Sequence, residues 1–441
     1  MQSPKHSRIL NLIFTAFLAF YYLMSFTILA DDSTAVEKHG LLTVSGNRIL
    51  GQHGNPVVLR GMSLFWSQWI GKYYNYDCIK WLRDNWKCTV VRAAMGVESG
   101  GYLSNPAVEK ARIKAVIDAC IDLGIYVIVD WHDHNAQDHQ EQAIAFFEEI
   151  AEEYGEYPNL IYEIFNEPLL QVSWSDVIKP YANAVVGAIR AIDEDNLIVV
   201  GTPTWSQDVD IATASPLIQT NIAYSLHFYA ATHKLFLRKK AMTALNRGYA
   251  LFVSEFGTCE SNGSGVMDVV EVETWMNFME YHQISWCNWS LADKDETSAA
   301  LKPGASQTGG WTEDQISESG LLIRDYIING NTGQINAIAV RPKKPKGFEL
   351  NQNYPNPFNM STRLSFNLPY SAEVRLHIFD LNGKLVSTLQ NSYLPAGYYS
   401  YIWNADTDAG TKASCGVYLL RVAVLAEGEV TTDLKKMVLL K

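Results

Sequence analysis

Leu160-Ile-Tyr-Glu-Ile-Phe-Asn-Glu-Pro168 is the stretch from which the rest of the chain can be read. Ile161, Ile164 and Phe165 read as a buried strand that Pro168 stops, which puts Asn166 and Glu167 at its carboxyl end. A charge closing an apolar run is expensive to place unless it faces a polar cleft or a partner. Taken alone, Glu167 is equally well a cap for the next helix or half of an ion pair with a nearby Arg. Leu251-Phe-Val-Ser-Glu-Phe-Gly257 repeats the design, with an apolar run, then Glu255, then a Gly break. Two carboxylates at the ends of two buried strands can do general-acid and nucleophile work on a glycosidic bond.

Outward from these two runs the chain keeps one rhythm. Apolar strands are expected over Val57–Met62, Thr89–Met95, Ile125–His132, the run ending at Glu167, Leu197–Gly201, Ile222–Tyr229, Leu251–Glu255 and Ile284–Leu291. Helical spacing follows most of them, over Tyr76–Trp86, Val108–Leu123, Gln140–Tyr154, Trp174–Ile192, Leu235–Leu245, Val269–His282 and Leu321–Ile328. Eight such units predict a parallel sheet covered on both faces and closed into a (β/α)8 TIM barrel over residues 31–330. A doubly wound open sheet is the alternative; the Gly-rich phosphate turn it usually carries after its first strand is missing. Residues 331–347, with Arg341-Pro-Lys-Lys-Pro-Lys-Gly347, read as an extended linker. From 348 to 441 the pattern changes to short alternating strands separated by turns such as Asn382-Gly383, which predicts a small all-β sandwich.

The whole chain has 441 residues and a net charge of −12. Residues 31–330 hold 21 basic and 39 acidic side chains, a balance of −18. An acidic main domain argues against nucleic acid and anionic membranes as partners. Twelve Trp and 23 Tyr supply many flat amphipathic faces of the kind that stack on sugars as well as building cores. The six cysteines form no Cys-x-x-Cys pair. Cys78 and Cys88 are candidates for a disulfide if the protein is exported, and buried free thiols are the alternative. Lys5, His6 and Arg8 precede an apolar run from Ile9 to Ala30, so residues 1–30 read as an export signal, or else as an uncleaved anchor. In either case the working domain is expected outside the cytoplasm, secreted or attached to the cell surface. Nothing in the sequence suggests an oligomer.

In such a barrel the working groups sit at the carboxyl ends of the strands. Those ends collect Arg92, His132, Asn166, Glu167, His227, Tyr229, Glu255 and Trp289. Singly, the histidines, Tyr229 and Trp289 are ordinary core residues and Arg92 a structural ion pair; their shared location favours a site. Retaining cleavage needs two carboxyl groups about 5–5.5 Å apart. Arg92 and Tyr229 beside the nucleophile would keep it ionised, whereas burial and the anionic partner would raise the acid's pKa. Asn166 is placed to donate to a sugar 2-hydroxyl, and Trp289 offers a flat face. Asp130-Trp-His132-Asp-His134 is rich in metal-ligand types. Its two histidines, two apart, would share one face of a continuing strand, but no third or fourth ligand is evident, so no metal and no cofactor are expected.

Asn166-Glu167-Pro168 and Ser254-Glu-Phe-Gly257 resemble the acid/base and nucleophile motifs of glycoside hydrolase family 5, the cellulase A family of clan A. Leu59-Arg-Gly-Met-Ser63, Val91-Arg-Ala-Ala-Met95, Asp130-Trp-His132, His227-Phe-Tyr229 and Trp286-Cys-Asn-Trp-Ser-Leu291 resemble its other signatures. So does Lys294-Asp-Glu-Thr-Ser-Ala-Ala-Leu301, followed by Gly309-Gly-Trp311. The likeness runs in order from about His39 to Gly330. It implies an endo-β-1,4-glucanase acting on cellulose and related β-glucans by double displacement, with Glu167 as acid/base and Glu255 as nucleophile. It also implies that Arg92, His132, Asn166, His227, Tyr229 and Trp289 line the innermost sugar site. Lys294 and Glu296 would bond more distant glucose units and Trp69 would stack on them. Phe65 and Gly96 depart from the family pattern, which often has His and sometimes Tyr there; Trp66 stands near enough to compensate. The same machinery on mannan, xyloglucan or mixed-linkage glucan is an alternative, as is a glycan-binding protein without catalysis. In the last segment, Asn353-Tyr-Pro-Asn-Pro-Phe358, Val374–Lys384, Ser414-Cys-Gly-Val-Tyr418 and Lys435-Lys436 resemble the immunoglobulin-like sorting domain of type IX secretion cargo. That likeness implies an export machinery as partner; a carbohydrate-binding module built on Tyr398, Tyr399, Tyr401 and Trp403 is the competing reading.

Overall fold

A computed structural model describes residues 33–332 and 348–440, apart from 354, 371, 395–396 and 427–428. The segment read as an export signal and the Pro/Lys stretch lie outside the described residues.

The first strands, β1 (Thr43–Ser45) and β2 (Arg48–Leu50), form an antiparallel hairpin. Eight parallel strands then close a barrel. They are β3 (Arg60–Leu64), β4 (Val90–Gly96), β5 (Tyr126–His132), β6 (Leu160–Glu163), β7 (Leu197–Val200), β8 (Ile222–Tyr229), β9 (Leu251–Gly257) and β10 (Ser285–Leu291). Neighbours follow chain order, and β10 closes onto β3 with Trp286 opposite Arg60 and Trp289 opposite Ser63. Every residue of β3 to β7 is buried, which is why these strands read as continuous apolar runs rather than alternating ones. The walls touch closely: a Cβ on Gly61 would lie 1.8 Å from the Val90 carbonyl oxygen, so only glycine fits there.

Local signals set the outer helices. Asn75 accepts the Cys78 N–H and starts the helix Tyr76–Asn85. Pro106 opens the helix Pro106–Leu123, and Gly124 closes it in the left-handed region at φ 64°. The last helix runs Glu318–Thr332, two residues past the expected domain end. Asn331 donates to the Arg60 and Lys87 carbonyls at 3.2 and 2.8 Å, which ties it to the foot of β3. Among the described residues no helix is long and apolar enough to cross a membrane.

Two details differ from expectation. β6 ends at Glu163, not at Glu167, so Asn166 and Glu167 sit on the loop beyond it. The loop follows the barrel rim, with the Asn166 and Glu167 N–H groups donating to the Trp131 and Asp133 carbonyls. Cys78 and Cys88 do not pair; both are buried free thiols whose pKa burial pushes up, and the remaining cysteines are free as well.

Residues 348–440 form two antiparallel sheets. One holds β11 (Glu349–Leu350), β12 (Thr362–Leu368) and β15 (Gly397–Trp403). The other has the order β14 (Leu385–Leu394), β13 (Ala372–Asp380), β16 (Gly416–Ala426), β17 (Glu429–Leu439). Leu364, Phe366 and Trp403 from the first sheet pack with Leu376, Ile378, Leu420 and Val422 from the second. This is the arrangement of an immunoglobulin-like sandwich.

Candidate active site

Most of the expected residues line a cleft of about 230 Å³ at the carboxyl ends of the strands; Arg92, His227 and Trp69 are not part of its lining. It is lined by Phe65, Trp66, His132, His134, Asn166, Glu167, Tyr229, Glu255, Trp289, Lys294 and Glu296, with Ser261–Gly263 on one wall. A larger hollow lined by Glu152–Tyr157 and Asp193–Asn196 contains none of these groups.

Arg92 lies inside the barrel with no exposed surface and organises the cleft floor. Its Nε donates to Glu163 at 2.7 Å. One terminal nitrogen donates to the Asn166 Oδ1 at 2.6 Å and pairs with Asp130 at 2.8 Å; the other reaches Glu255 Oε2 at 3.2 Å. A flexible ammonium on one point could not satisfy this many acceptors, whereas the planar guanidinium does. Burial alone would lower the pKa of Arg92; Asp130, Glu163 and Glu255 outweigh it and raise it.

Glu255 is buried, and the Tyr229 hydroxyl donates to its Oε1 at 2.9 Å. Tyr229 itself is held well above its ordinary pKa by burial and by the two glutamates, so its proton stays in place. Across the cleft, Glu167 meets two imidazoles. His227 Nδ1 lies 3.0 Å from Oε1 and His134 Nε2 3.3 Å from Oε2. His227 is fixed from behind by Ser254 at 3.0 Å, and Ser254 donates in turn to Glu163. A carboxylate oxygen from Glu167, one from Glu255 and a His227 nitrogen all lie within 4.8 Å of one another. That separation belongs to the retaining geometry and is well short of the roughly 6.5–9.5 Å that inversion needs.

The charge state of the cleft inverts one expectation. Burial pushes the Glu167 carboxyl up, but hydrogen bonds and charge from His134 and His227 prevail and hold it at about 2. Glu255 is the carboxyl that is raised, by burial and by the Glu167 charge. Burial would lower His227; its bonds to Glu163 and Glu167 prevail and lift it to about 9. The proton expected on the acid therefore rests on the imidazole 3.0 Å away. Once it moves to Glu167, the charge that raised Glu255 is gone, and Arg92 and Tyr229 keep Glu255 ionised.

His132 is buried, bonds Asp130 at 2.6 Å and lies parallel to the Trp289 ring at 5.1 Å; burial lowers its pKa well below the ordinary value. Trp289 continues to Phe65 at 5.2 Å, and Phe65 to Trp69 at 6.4 Å. Lys294 stands 4.3 Å above the Phe65 ring and pairs with Glu296. Trp69 is 57% exposed and packs beside Trp66 at 4.9 Å. At Gly96 the Gln68 side chain occupies the space where a larger residue would point, with a Cβ there only 1.7 Å from Gln68 Oε1.

The sequence reading missed Asp130, Glu163 and Ser254 as supports, and His134 as a contact of Glu167. Glu163 stood in the opening stretch itself as a charge inside an apolar strand. β5 stops at His132, and His134, two residues on, lines the same cleft. Also missed was the turn after β7, where Thr204, Trp205 and Ser206 take φ of 60°, 53° and 54°. Such values are strained for these residues, β-branched Thr204 most of all. The turn is held by the Trp205 N–H on the Pro168 carbonyl at 2.8 Å and the Ser206 hydroxyl on the Asn166 carbonyl at 2.7 Å. It thus clamps the loop carrying Glu167. Among the described residues two groups bring metal-ligand types together, Glu167–His227–Glu255 and Glu98–Asp133–His139. In the first, the hydrogen bonds above already engage each side chain; in the second, His139 bonds Asp133 at 2.7 Å.

Residues 50–295 match the cellulase model, glycosyl hydrolase family 5. The chain belongs to glycosyl hydrolase family 5. Residues 353–428 match an FlgD Ig-like domain. An endoglucanase of Clostridium saccharobutylicum is 47% identical over 325 residues, covering 72% of this chain and 72% of that protein. Endoglucanase N of Pectobacterium atrosepticum is 46% identical over 310 residues, 70% of each. A solved structure from Cytophaga hutchinsonii shares 53% identity with a TM-score of 0.68, covering 69% of this chain and 100% of that one. The catalytic domain of Thermobifida fusca endoglucanase Cel5A, solved as a variant with cellotetraose, shares 33% identity with a TM-score of 0.64, covering 67% of this chain and 99% of that one. This family 5 member is a glycoside hydrolase with both motif glutamates facing one cleft.

Proposed function

We propose that the chain is a retaining endo-β-1,4-glucanase in which Glu167 is the acid/base and Glu255 the nucleophile. The observation that carries this is the pair of carboxyl groups facing each other with one oxygen of each within 4.8 Å, one group bound by Arg92 and Tyr229 and the other by two imidazoles. Glu255 attacks the anomeric carbon while Glu167 gives its proton to the departing glycosidic oxygen. The glycosyl ester on Glu255 is then opened by water, which Glu167 deprotonates, and both carboxyls return to their starting state. Asn166, held by Arg92, is placed for the 2-hydroxyl of the sugar being cut, and Trp289 for its flat face. Lys294, Glu296 and Trp69 extend the cleft toward further glucose units, which suits cutting inside a chain. No cofactor enters this scheme.

The full chain is tested by viscosity loss and reducing-end release on soluble β-1,4-glucan, mixed-linkage glucan, mannan and xylan. Rapid viscosity loss on the glucans, abolished by Glu255→Gln, is the expected result. Activity mainly on mannan overturns the substrate and keeps the mechanism. A folded protein that binds glucan and cuts none of the four is a binding protein instead.

Residues 348–441 we assign to sorting during export, with the enzyme secreted or surface-attached and acting as a monomer. The motif likenesses support this, and so does the packing of the aromatics. Tyr399 and Tyr401 stack on Phe366 at 5.2 and 6.1 Å and Trp403 is buried, so these rings serve the sandwich core rather than a sugar platform. Removing 348–441 is expected to leave glucan cutting intact and to retain the enzyme in the producing cell. Loss of cellulose binding without loss of export would return the module to the carbohydrate-binding reading.

A further inference from the structure

We propose that His134 is a positioning residue for the acid/base, holding the Glu167 oxygen opposite the one held by His227 and acting on the leaving-group proton rather than on sugar binding. The inference rests on Glu167 being the acid/base. Its basis is a bracket: His227 Nδ1 on Oε1 at 3.0 Å and His134 Nε2 on Oε2 at 3.3 Å. The two imidazoles are not equivalent. The His227 side chain is 2% exposed and sealed behind Ser254 and Glu163, whereas the His134 side chain is 37% exposed at the cleft rim. Trp66 fixes the orientation of the rim imidazole. Its ring meets His134 edge-on at 5.6 Å and His132 edge-on at 4.1 Å, so one indole sets both the histidine that ends β5 and the one just beyond it.

The bracket has a chemical consequence. A carboxyl group gripped at one oxygen can still swing its other oxygen away from a leaving group; gripped at both, it keeps its plane. The groups facing this pair are Asp133 and His132 from the end of β5, His227 and His233 from β8 and its loop, and Glu255 from β9. Burial would lower His134, and its bond to Glu167 outweighs this and raises it. Whenever it carries a proton, His134 stabilises the Glu167 carboxylate and makes the proton shared by Glu167 and His227 easier to lose. Replacing it with a neutral group therefore lets that pair keep its proton to higher pH.

The test uses full-length His134→Ala and His134→Gln beside wild type and Glu167→Gln. Each is assayed on β-1,4-glucan and on 2,4-dinitrophenyl β-cellobioside, whose phenolate leaves without a proton. The expected result for His134→Ala is a loss of about tenfold in kcat on glucan, within the range that general acid catalysis supplies. Its kcat/KM on the dinitrophenyl substrate, which reports ester formation and not the later water step in which Glu167 is the base, is expected to change less than about twofold, and the alkaline limb of its kcat/KM profile on glucan to move upward. His134→Gln, which keeps a donor without a charge, is expected to recover most of the glucan kcat while still showing the moved limb. Equal losses on both substrates, an effect confined to KM, or a limb that stays in place overturns the proposal. Glu167→Gln separates the premise. If that variant loses both substrates alike in the glycosylation step, Glu167 is not the acid and the bracket has no acid to position.

Discussion

The two glutamates sit within 4.8 Å of each other in one cleft, yet their surroundings are built from different materials. Glu255 is held by a guanidinium and a phenol, Arg92 and Tyr229, whose protonation does not change in the working range. Glu167 is held by two imidazoles, which do titrate. The nucleophile needs one charge state before each attack, so non-titrating donors suit it. The acid must lose and regain a proton in each cycle, so partners of adjustable charge suit it. A pair of nearby carboxyls can be driven apart in function by what binds them.

The comparison breaks most severely at the carboxyls themselves. Glu255→Gln leaves no nucleophile, and kcat on every substrate is expected to fall by about 10⁴ or more, since no other step can form the ester. An intact glucan rate in a folded Glu255→Gln protein would dismantle the mechanism. One step weaker is Tyr229→Phe, which removes a single donor to a charged oxygen. A bond of that kind is worth roughly 1.5–3 kcal/mol, so a loss of about 10- to 100-fold in kcat/KM is expected. The acid limb should also rise, because Glu255 loses a group that favours its ionised form. A variant with unchanged limb and rate would show that Arg92 suffices.

The imidazole side is sharpened by pH. His227 holds its proton below about 9 and loses it as pH rises through that value. The proton available to Glu167 goes with it, so kcat/KM on glucan should be steady in the neutral range and fall above about 9. On the dinitrophenyl substrate this fall should be much weaker. A common alkaline limb for both substrates would place the titrating group elsewhere, for instance in binding.

How much of this was open to the sequence depends on what each feature rests on. The barrel was legible because eight strands buried on both faces leave eight apolar runs, and because helix boundaries carry local chemistry such as Pro106 and Gly124. Glu167 and Glu255 were legible as charges closing such runs. The direction of their pKa shifts was not, since it follows from the contacts of His134 and His227 with Glu167, which come from separate parts of the chain and meet only in the folded cleft. Glu163 was hidden by its own position: a carboxylate inside a strand reads as an interruption until Arg92 is seen 2.7 Å away. Of the sandwich, β12 could be read from its strict alternation of buried and half-buried residues. β14 has a single buried residue and β17 carries Lys435 and Lys436 on a sheet edge, where polar residues discourage pairing with other chains and erase the apolar signal.

The smallest expected effect lies farthest from the carboxyls. Trp69 is 57% exposed and joins the ring series Trp289, Phe65, Trp69 at its outer end. It touches neither glutamate, so Trp69→Ala should leave kcat and both pH limbs where they are. What it removes is a flat face for a sugar several units from the cut, worth roughly 0.5–1.5 kcal/mol by analogy with other ring contacts. KM on long glucans should therefore rise by about two- to tenfold, with cellobioside substrates indifferent. If kcat fell on the short substrate as well, the ring series would be bearing on Trp289 and His132 through packing, and the separation between the binding arm and the catalytic pair would be lost.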